Sequence, residues 1–186
     1  MKRAFDIIFA LLIFICISIP LLIVAILIKL TSRGPVLYWS DRIGKDNIVF
    51  KMPKLRTMTV DTPAVATHLL QNPGHYLTPI GQFLRKSSLD ELPQILSILK
   101  GDMSFVGPRP ALFNQHDLIQ LRTQKNIHTL TPGLTGWAQI NGRDTIPIPL
   151  KVNYDEYYYR NRSFFLDMKI CLLTFIKVFK REGVSH

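Results

Sequence analysis

Cysteine is nearly absent. Two residues among 186, Cys16 and Cys171, cannot make a disulfide scaffold, and both fall in apolar stretches where the thiol behaves as a small hydrophobe. Charge is scarce as well, at 19% against 47% hydrophobic residues, and a mean hydropathy of +0.16 excludes a disordered chain. Acid is the thinner sign: 13 Asp and Glu against 23 Lys and Arg, a net charge of +10. The expected partners are therefore anionic: nucleic acid, an acidic lipid surface or a phosphorylated substrate. The five histidines, 68, 75, 116, 128 and 186, show no metal-ligand spacing and no cysteine lies near one, which argues against a zinc site. A Gly-x-Ser-x-Gly elbow, a P-loop, a dinucleotide fingerprint, internal repeats and low-complexity tracts are all missing. The length fits one domain with a short appendage.

What is present begins with an apolar run. Ile7 to Ile28 carries no charge, and as a straight helix it is about 33 Å long, enough to cross a bilayer core. It is too long for a signal h-region and no small-residue cleavage site follows, so the anchor is expected to be retained. Lys2 and Arg3 precede it and Lys29 and Arg33 follow, so the charge rule favours neither orientation. Pro20 removes a backbone hydrogen bond mid-run, and Ser18 is placed to help satisfy the freed carbonyls. Two readings stand: a kinked single span, or a re-entrant hairpin bent at Ser18 and Pro20 with both ends in the cytoplasm. The symmetric positive flanks favour the hairpin. Residues 1–33 are thus read as membrane-inserted and 34–186 as a folded domain on one membrane face.

Within that domain, Val36–Trp39 and Ile48–Met52 flank a turn signal and predict a β-hairpin. A short helix is expected near Ile80–Arg85. Another starts at Ser88 as N-cap, with Asp90 and Glu91 in its first turn and Gly101 as its stop. Leu112–Gln124 is amphipathic, while 57–75, 104–110 and 131–149 read as loops. Phe164–Arg181 is a long apolar helix with basic punctuation, suited to lying in an anionic headgroup plane. The fold class is α+β and mainly helical, with a small β-hairpin and amphipathic interfacial helices.

Chemistry concentrates on one acidic pair amid basic loops. A carboxylate at Asp90 can act as a nucleophile toward phosphorus or hold Mg²⁺ through oxygen, and a helix N-terminus would stabilise its charge. Taken alone, Leu89-Asp90-Glu91-Leu92 is no more than a well-formed helix start. Its surroundings change that weighing. Arg85 lies just upstream, Gly107-Pro108-Arg109-Pro110 presents one guanidinium on a stiff loop, Lys54 and Arg56 follow the hairpin, and Gly142-Arg143 closes another turn. Cations converging on one acidic pair suit a diphosphate and a metal.

Read together, these segments resemble the bacterial sugar transferases, the monotopic phosphoglycosyl transferases. The resemblance rests on Lys2-Arg3-x-x-Asp6, on Lys51-Met52-Pro53-Lys54-Leu55-Arg56-Thr57-Met58 and on Leu84-Arg85-Lys86-Ser87-Ser88-Leu89-Asp90-Glu91-Leu92-Pro93-Gln94. It also rests on Gly101-Asp102-Met103-Ser104-Phe105-Val106-Gly107-Pro108-Arg109-Pro110, on Thr131-Pro132-Gly133-Leu134-Thr135-Gly136-Trp137-Ala138-Gln139-Ile140-Asn141-Gly142-Arg143, and on Tyr154-Asp155 with Ser163 and Asp167. The resemblance implies transfer of a sugar 1-phosphate from a UDP-sugar to undecaprenyl phosphate with release of UMP. This reaction initiates glycan assembly at the cytoplasmic face of the bacterial inner membrane. It implies Asp90 as nucleophile, a ping-pong course, Glu91 as dyad partner and Mg²⁺ against both. Lys54, Arg85, Arg109 and Asp155 match active-site positions; Arg56, Gln139 and Arg143 match nucleotide- or phosphate-binding ones. Anionic lipids are expected partners and a homodimer is compatible.

The pattern departs from the family at Ile19-Pro20, where Ser-Pro is common, and at Pro53 and Leu55. Two other classes compete. A membrane-tethered nucleic-acid-binding module would use Tyr157-Tyr158-Tyr159 with Arg160 and Arg162. A non-catalytic scaffold would be indifferent to Asp90. The basic residues sit in Gly/Pro loops rather than along one helix, and an anchor gives no reason to bind DNA, so nucleic acid is not an expected partner.

Overall fold

A computed structural model describes residues 2–63, 72–142 and 146–179. The chain is mainly helical. Helix α1 spans Lys2–Thr31 and runs through Pro20 as one element. The Ser18 hydroxyl donates to the carbonyl of Ile15 at 2.8 Å, so it back-bonds one position short of Cys16, the carbonyl that Pro20 deprives of a partner.

Strands β1 (Leu37–Ile43) and β2 (Val49–Leu55) pair antiparallel from Leu37↔Leu55 to Ile43↔Val49. Their turn places Asp46 and Asn47 at φ 55° and 61°, the left-handed region that short polar side chains tolerate best. Helix α2 covers Gly81–Lys86. A 3₁₀ turn at Leu89–Gln94 then leads into α3 (Ile95–Lys100), which Gly101 stops at φ 104°. The stretches expected to be loops at 104–110 and 131–149 contain ordered structure instead. β3 (Ser104–Val106) pairs in parallel with β4 (Gly133–Thr135), and α5 (Trp137–Asn141) follows. Helices α4 (His116–Gln124), α6 (Ile148–Asn161) and α7 (Phe164–Phe179) complete the fold.

The main core joins Met52, Ile95, Ile98, Met103, Phe105, Val152 and Ile170. Helix α1 packs on it with Ala10, Ile13, Phe14 and Ile17, then on a smaller core of Leu55 and Leu84 with Leu21, Val24 and Ile28. These positions recur every three or four residues, so one stripe of the helix faces protein along most of its length. The other side leaves Ile8, Leu12, Ile15, Ile19, Leu22, Ile26 and Leu30 exposed.

Polar contacts tie down both ends of α1. Lys2 pairs with Asp167 of α7 at 2.5 Å, and Asp167 also accepts from the Tyr158 hydroxyl at 2.7 Å. Arg3 donates to the carbonyls of Ile98 and Leu99, and Asp6 accepts from the Ser104 hydroxyl and the Phe105 N–H, both at 3.1 Å. This is the physical role of the Lys-Arg-x-x-Asp pattern. At the far end, Arg56 donates to the carbonyl and hydroxyl of Ser32.

Candidate active site

Four segments meet at the acidic pair. Strand β2 supplies Lys54, α2 supplies Arg85, the 3₁₀ turn supplies Asp90 and Glu91, and the loop after β3 supplies Arg109. Ser88 precedes the turn in the left-handed region, φ 57°, and its side chain makes no capping bond. Asp90 therefore sits in a short, tightly wound turn rather than at the start of a regular helix.

The two carboxylates have different surroundings. Oε1 of Glu91 accepts from Lys54 Nζ and from Arg109 Nη2, each at 2.8 Å. Burial pushes the Glu91 carboxyl up, but Arg109 and Lys54, as charges and as donors, outweigh it and hold it well below the usual glutamate range. Asp90 is buried, and its carboxylate makes no hydrogen bond or ion pair among the described residues. Burial raises it above the usual aspartate value, Glu91 adds to that, and Lys54, Arg85 and Arg109 pull the other way without cancelling it. The helix-terminus stabilisation expected from the sequence does not prevail, because desolvation in a two-turn segment outweighs a short dipole. The result is one clamped carboxylate that holds two cations in place, and beside it a carboxylate whose oxygens remain available to react.

Arg85 reaches the site from the other side. Its Nε donates to Thr57 Oγ1 at 3.0 Å, and burial lowers its guanidinium while Asp90 opposes that. Gly81 fixes the approach of α2: a Cβ there would lie 2.1 Å from the Thr57 carbonyl oxygen.

Arg109 is positioned by two devices. The loops at 107 and 133–136 cross backbone to backbone; a Cβ on Gly133 would lie 2.0 Å from Gly107 N, and one on Gly136 would lie 2.1 Å from Gly107 O. Behind them lies a buried ion pair that sequence reasoning missed. Arg122 of α4 donates through Nε and Nη2 to Asp155 Oδ2 at 3.0 and 2.6 Å, and through Nη1 to the carbonyl of Arg109 at 2.8 Å. Asp155 is only 1% exposed. The structure places it behind Arg109, facing Arg122, rather than on an open substrate face.

The remaining site residues divide. Gln139, on α5, has both amide atoms buried without partners among the described residues, close to Gly136 and the crossing loops. Arg56 turns away from the acidic pair toward Ser32. Arg143 lies outside the described residues. Among those residues no three His, Cys, Asp or Glu side chains cluster for a metal. Asp90 and Glu91 suit Mg²⁺ all the same, because this ion is usually held by one or two carboxylates and completed by substrate phosphates and water.

The tyrosine triplet makes contacts within the fold, although Tyr157 stays exposed. Tyr158 is buried on Asp167, Tyr157 stacks on Trp137 with ring centroids 5.2 Å apart, and Arg162 lies over Tyr159.

Comparison with known proteins identifies the family. The family profile described as bacterial sugar transferase matches residues 1–181. The chain is 42% identical over 188 residues to the uncharacterized sugar transferase EpsL of Bacillus subtilis (strain 168), covering 100% of this chain and 91% of that protein. It is 42% identical to the UDP-glucose:undecaprenyl-phosphate glucose-1-phosphate transferase of Escherichia coli (strain K12), covering 98% of this chain but 41% of the relative. It is 36% identical to the UDP-N-acetylgalactosamine-undecaprenyl-phosphate N-acetylgalactosaminephosphotransferase of Aeromonas hydrophila, covering 93% of this chain and 42% of the relative.

Proposed function

Because the chain belongs to the bacterial sugar transferase family, we propose that it transfers a sugar 1-phosphate from a UDP-sugar to undecaprenyl phosphate, releases UMP and so initiates glycan assembly. The observation that carries this reading is the unengaged, buried Asp90 carboxylate surrounded by Lys54, Arg85 and Arg109. An Asp90 oxygen attacks the sugar-bearing phosphorus; an O–P bond forms and the bond to UMP breaks, with the electron pair leaving on UMP. An oxygen of the lipid phosphate then attacks the same phosphorus and breaks the bond to Asp90, restoring the carboxylate and completing a ping-pong cycle. Glu91 keeps Lys54 and Arg109 aimed at the charge that develops on the leaving phosphate. Asp90 and Glu91 would hold Mg²⁺, which supplies further positive charge to the diphosphate when bound.

The test is UMP release by detergent-purified protein with Mg²⁺, undecaprenyl phosphate and UDP-glucose, UDP-galactose and UDP-N-acetyl-hexosamines. The relatives' names differ in their sugar at similar identity, so identity does not select the donor. Turnover is expected with one donor, and a single equivalent of UMP when the lipid is omitted. Silence across the panel would refute the reading.

The proposed membrane placement is supported by α1. Both of its ends bind the same polar domain, and a domain cannot sit on both sides of a bilayer. These contacts support the reading, which we propose, that the helix embeds from the cytoplasmic face of the inner membrane without crossing, with its exposed apolar side toward lipid. The exposed Phe165, Leu172, Phe175 and Ile176 of α7 add an interfacial face. Single cysteines replacing Ala4 and Arg33, with the two native cysteines changed to serine, should both react with an impermeant maleimide in inverted vesicles and neither in intact spheroplasts. Reaction of the two from opposite sides would show a span.

A further inference from the structure

Arg56 is a buried cation without a counterion among the described residues. It is 5% exposed, and its Nε and Nη1 have no hydrogen-bond partner among the described residues. Only Nη2 is engaged, by the carbonyl and hydroxyl of Ser32 at 3.0 and 2.6 Å, and both of these acceptors are neutral. Burial lowers its guanidinium, and no acidic side chain among the described residues opposes that. A guanidinium stays protonated at any working pH, and a buried charge is ordinarily paired or bonded on every side. Building such a site is costly, and it is explained if the anion arrives with a substrate.

The location narrows the anion down. Arg56 follows β2 directly, and its N–H donates to the carbonyl of Val36, so it lies one strand repeat, about 7 Å, from Lys54. Lys54 faces Glu91, whereas Arg56 faces Ser32 at the end of the membrane-embedded helix. The neighbouring Thr57 accepts from Arg85, which is within electrostatic reach of Asp90. Beyond lie Ile28, Leu55 and Leu84, the small core on which α1 docks. Gly34, at φ 112°, lets the guanidinium lie against the chain where a Cβ would sit 2.1 Å from Nη1. Successive contacts thus link Ser32, just past the end of α1, to Arg56, the adjacent Thr57 to Arg85, and Arg85 to Asp90.

We propose that Arg56 receives the phosphate of the lipid acceptor. It would guide that phosphate from the membrane surface to Asp90, while Lys54 and Arg109 serve the donor diphosphate. This assignment rests on the transferase reading above and divides that site into donor and acceptor sides.

The experiment separates the two half-reactions. Exchange of labelled UMP into UDP-sugar needs only the first; complete transfer needs both. Arg56→Met is expected to raise the KM for undecaprenyl phosphate by about ten- to a hundredfold, the loss expected for charge-assisted hydrogen bonds, and to impair complete transfer by about that factor more than it impairs exchange. Arg56→Lys should recover part of it. Equilibrium binding of farnesyl phosphate to protein in phosphatidylcholine nanodiscs should weaken by the same factor in Arg56→Met. Farnesol binding should stay unchanged, and neither inorganic phosphate nor phosphatidylglycerol should compete at equal concentration. Equal loss of exchange and transfer together with a lowered melting temperature would assign Arg56 to holding Ser32 alone and overturn the proposal, as would full competition by phosphatidylglycerol. The binding arm needs no turnover, so failure of the transferase reading would appear separately, as wild-type protein that binds farnesyl phosphate and releases no UMP.

Discussion

Asp90→Asn is expected to abolish sugar-phosphate transfer and to melt at a higher temperature than the wild type. The first part follows from the nucleophile role proposed for it; removal of a covalent nucleophile typically lowers kcat by about 10⁴-fold or more. The second follows from its electrostatics. Burial raises the Asp90 pKa in the folded protein, so the native state carries an ionisation penalty at neutral pH that is relieved only as pH falls through the raised value. Asparagine cannot ionise, has the same shape, and breaks no bond that the described residues make to Asp90. The expected gain is about 0.5–2 kcal/mol, the range in which a residue kept for activity costs stability. Scanning calorimetry beside UMP release checks both, and a variant that is inactive because it is unfolded would refute the pair.

Acid should separate the same two carboxylates. With Asp90 as the proposed nucleophile, the rate is expected to fall as pH drops through its raised value. Glu91 has the opposite sign: its depressed pKa contributes stability that is present above the ordinary glutamate value and is lost only as pH falls through the depressed one. Acidification is therefore expected to switch the enzyme off reversibly before the Glu91 clamp opens.

Much of this was legible in the chain, for reasons that can be traced to particular residues. The hairpin announced itself through two β-rich runs about a turn signal, α1 through an unbroken apolar run and α7 through a mostly apolar one with basic punctuation. β3 and β4 did not. Three residues are too few to show a period, and they pair across a sequence gap that only the tertiary fold closes. Helix α6 was hidden by Pro149, which is tolerated because it falls in the first turn, where its missing N–H has no partner to lose. The acidic pair was visible, but its cations come from distant segments, so only the ordered motifs together pointed to Lys54, Arg85 and Arg109. The different surroundings of Asp90 and Glu91 could not be read, since adjacent letters carry no information about which one the cations grip. Arg122 gave no signal: one arginine in an amphipathic helix looks like any solvated side chain until Asp155 is seen against it.

That hidden pair carries the second large effect. Asp155→Asn leaves the buried Arg122 guanidinium without its anion and is expected to cost about 3–5 kcal/mol of stability, as broken buried pairs do. Turnover should fall as well, because Arg122 also holds the Arg109 carbonyl and so the loop that presents Arg109 to Glu91. Replacing both partners distinguishes packing from positioning. Arg122→Met with Asp155→Leu removes both charges at similar volume and should recover most of the lost stability. It should not recover kcat, since the Arg109 carbonyl has lost its donor. The pair of readouts, urea unfolding and steady-state kinetics, also tests the place given to Asp155. If Asp155→Asn left stability unchanged and raised only the KM for the UDP-sugar, Asp155 would be facing substrate. If the double variant regained full turnover, Arg122 would be packing for the core and nothing more. Intact stability with a lost kcat is the signature of a residue that acts through the loop it holds.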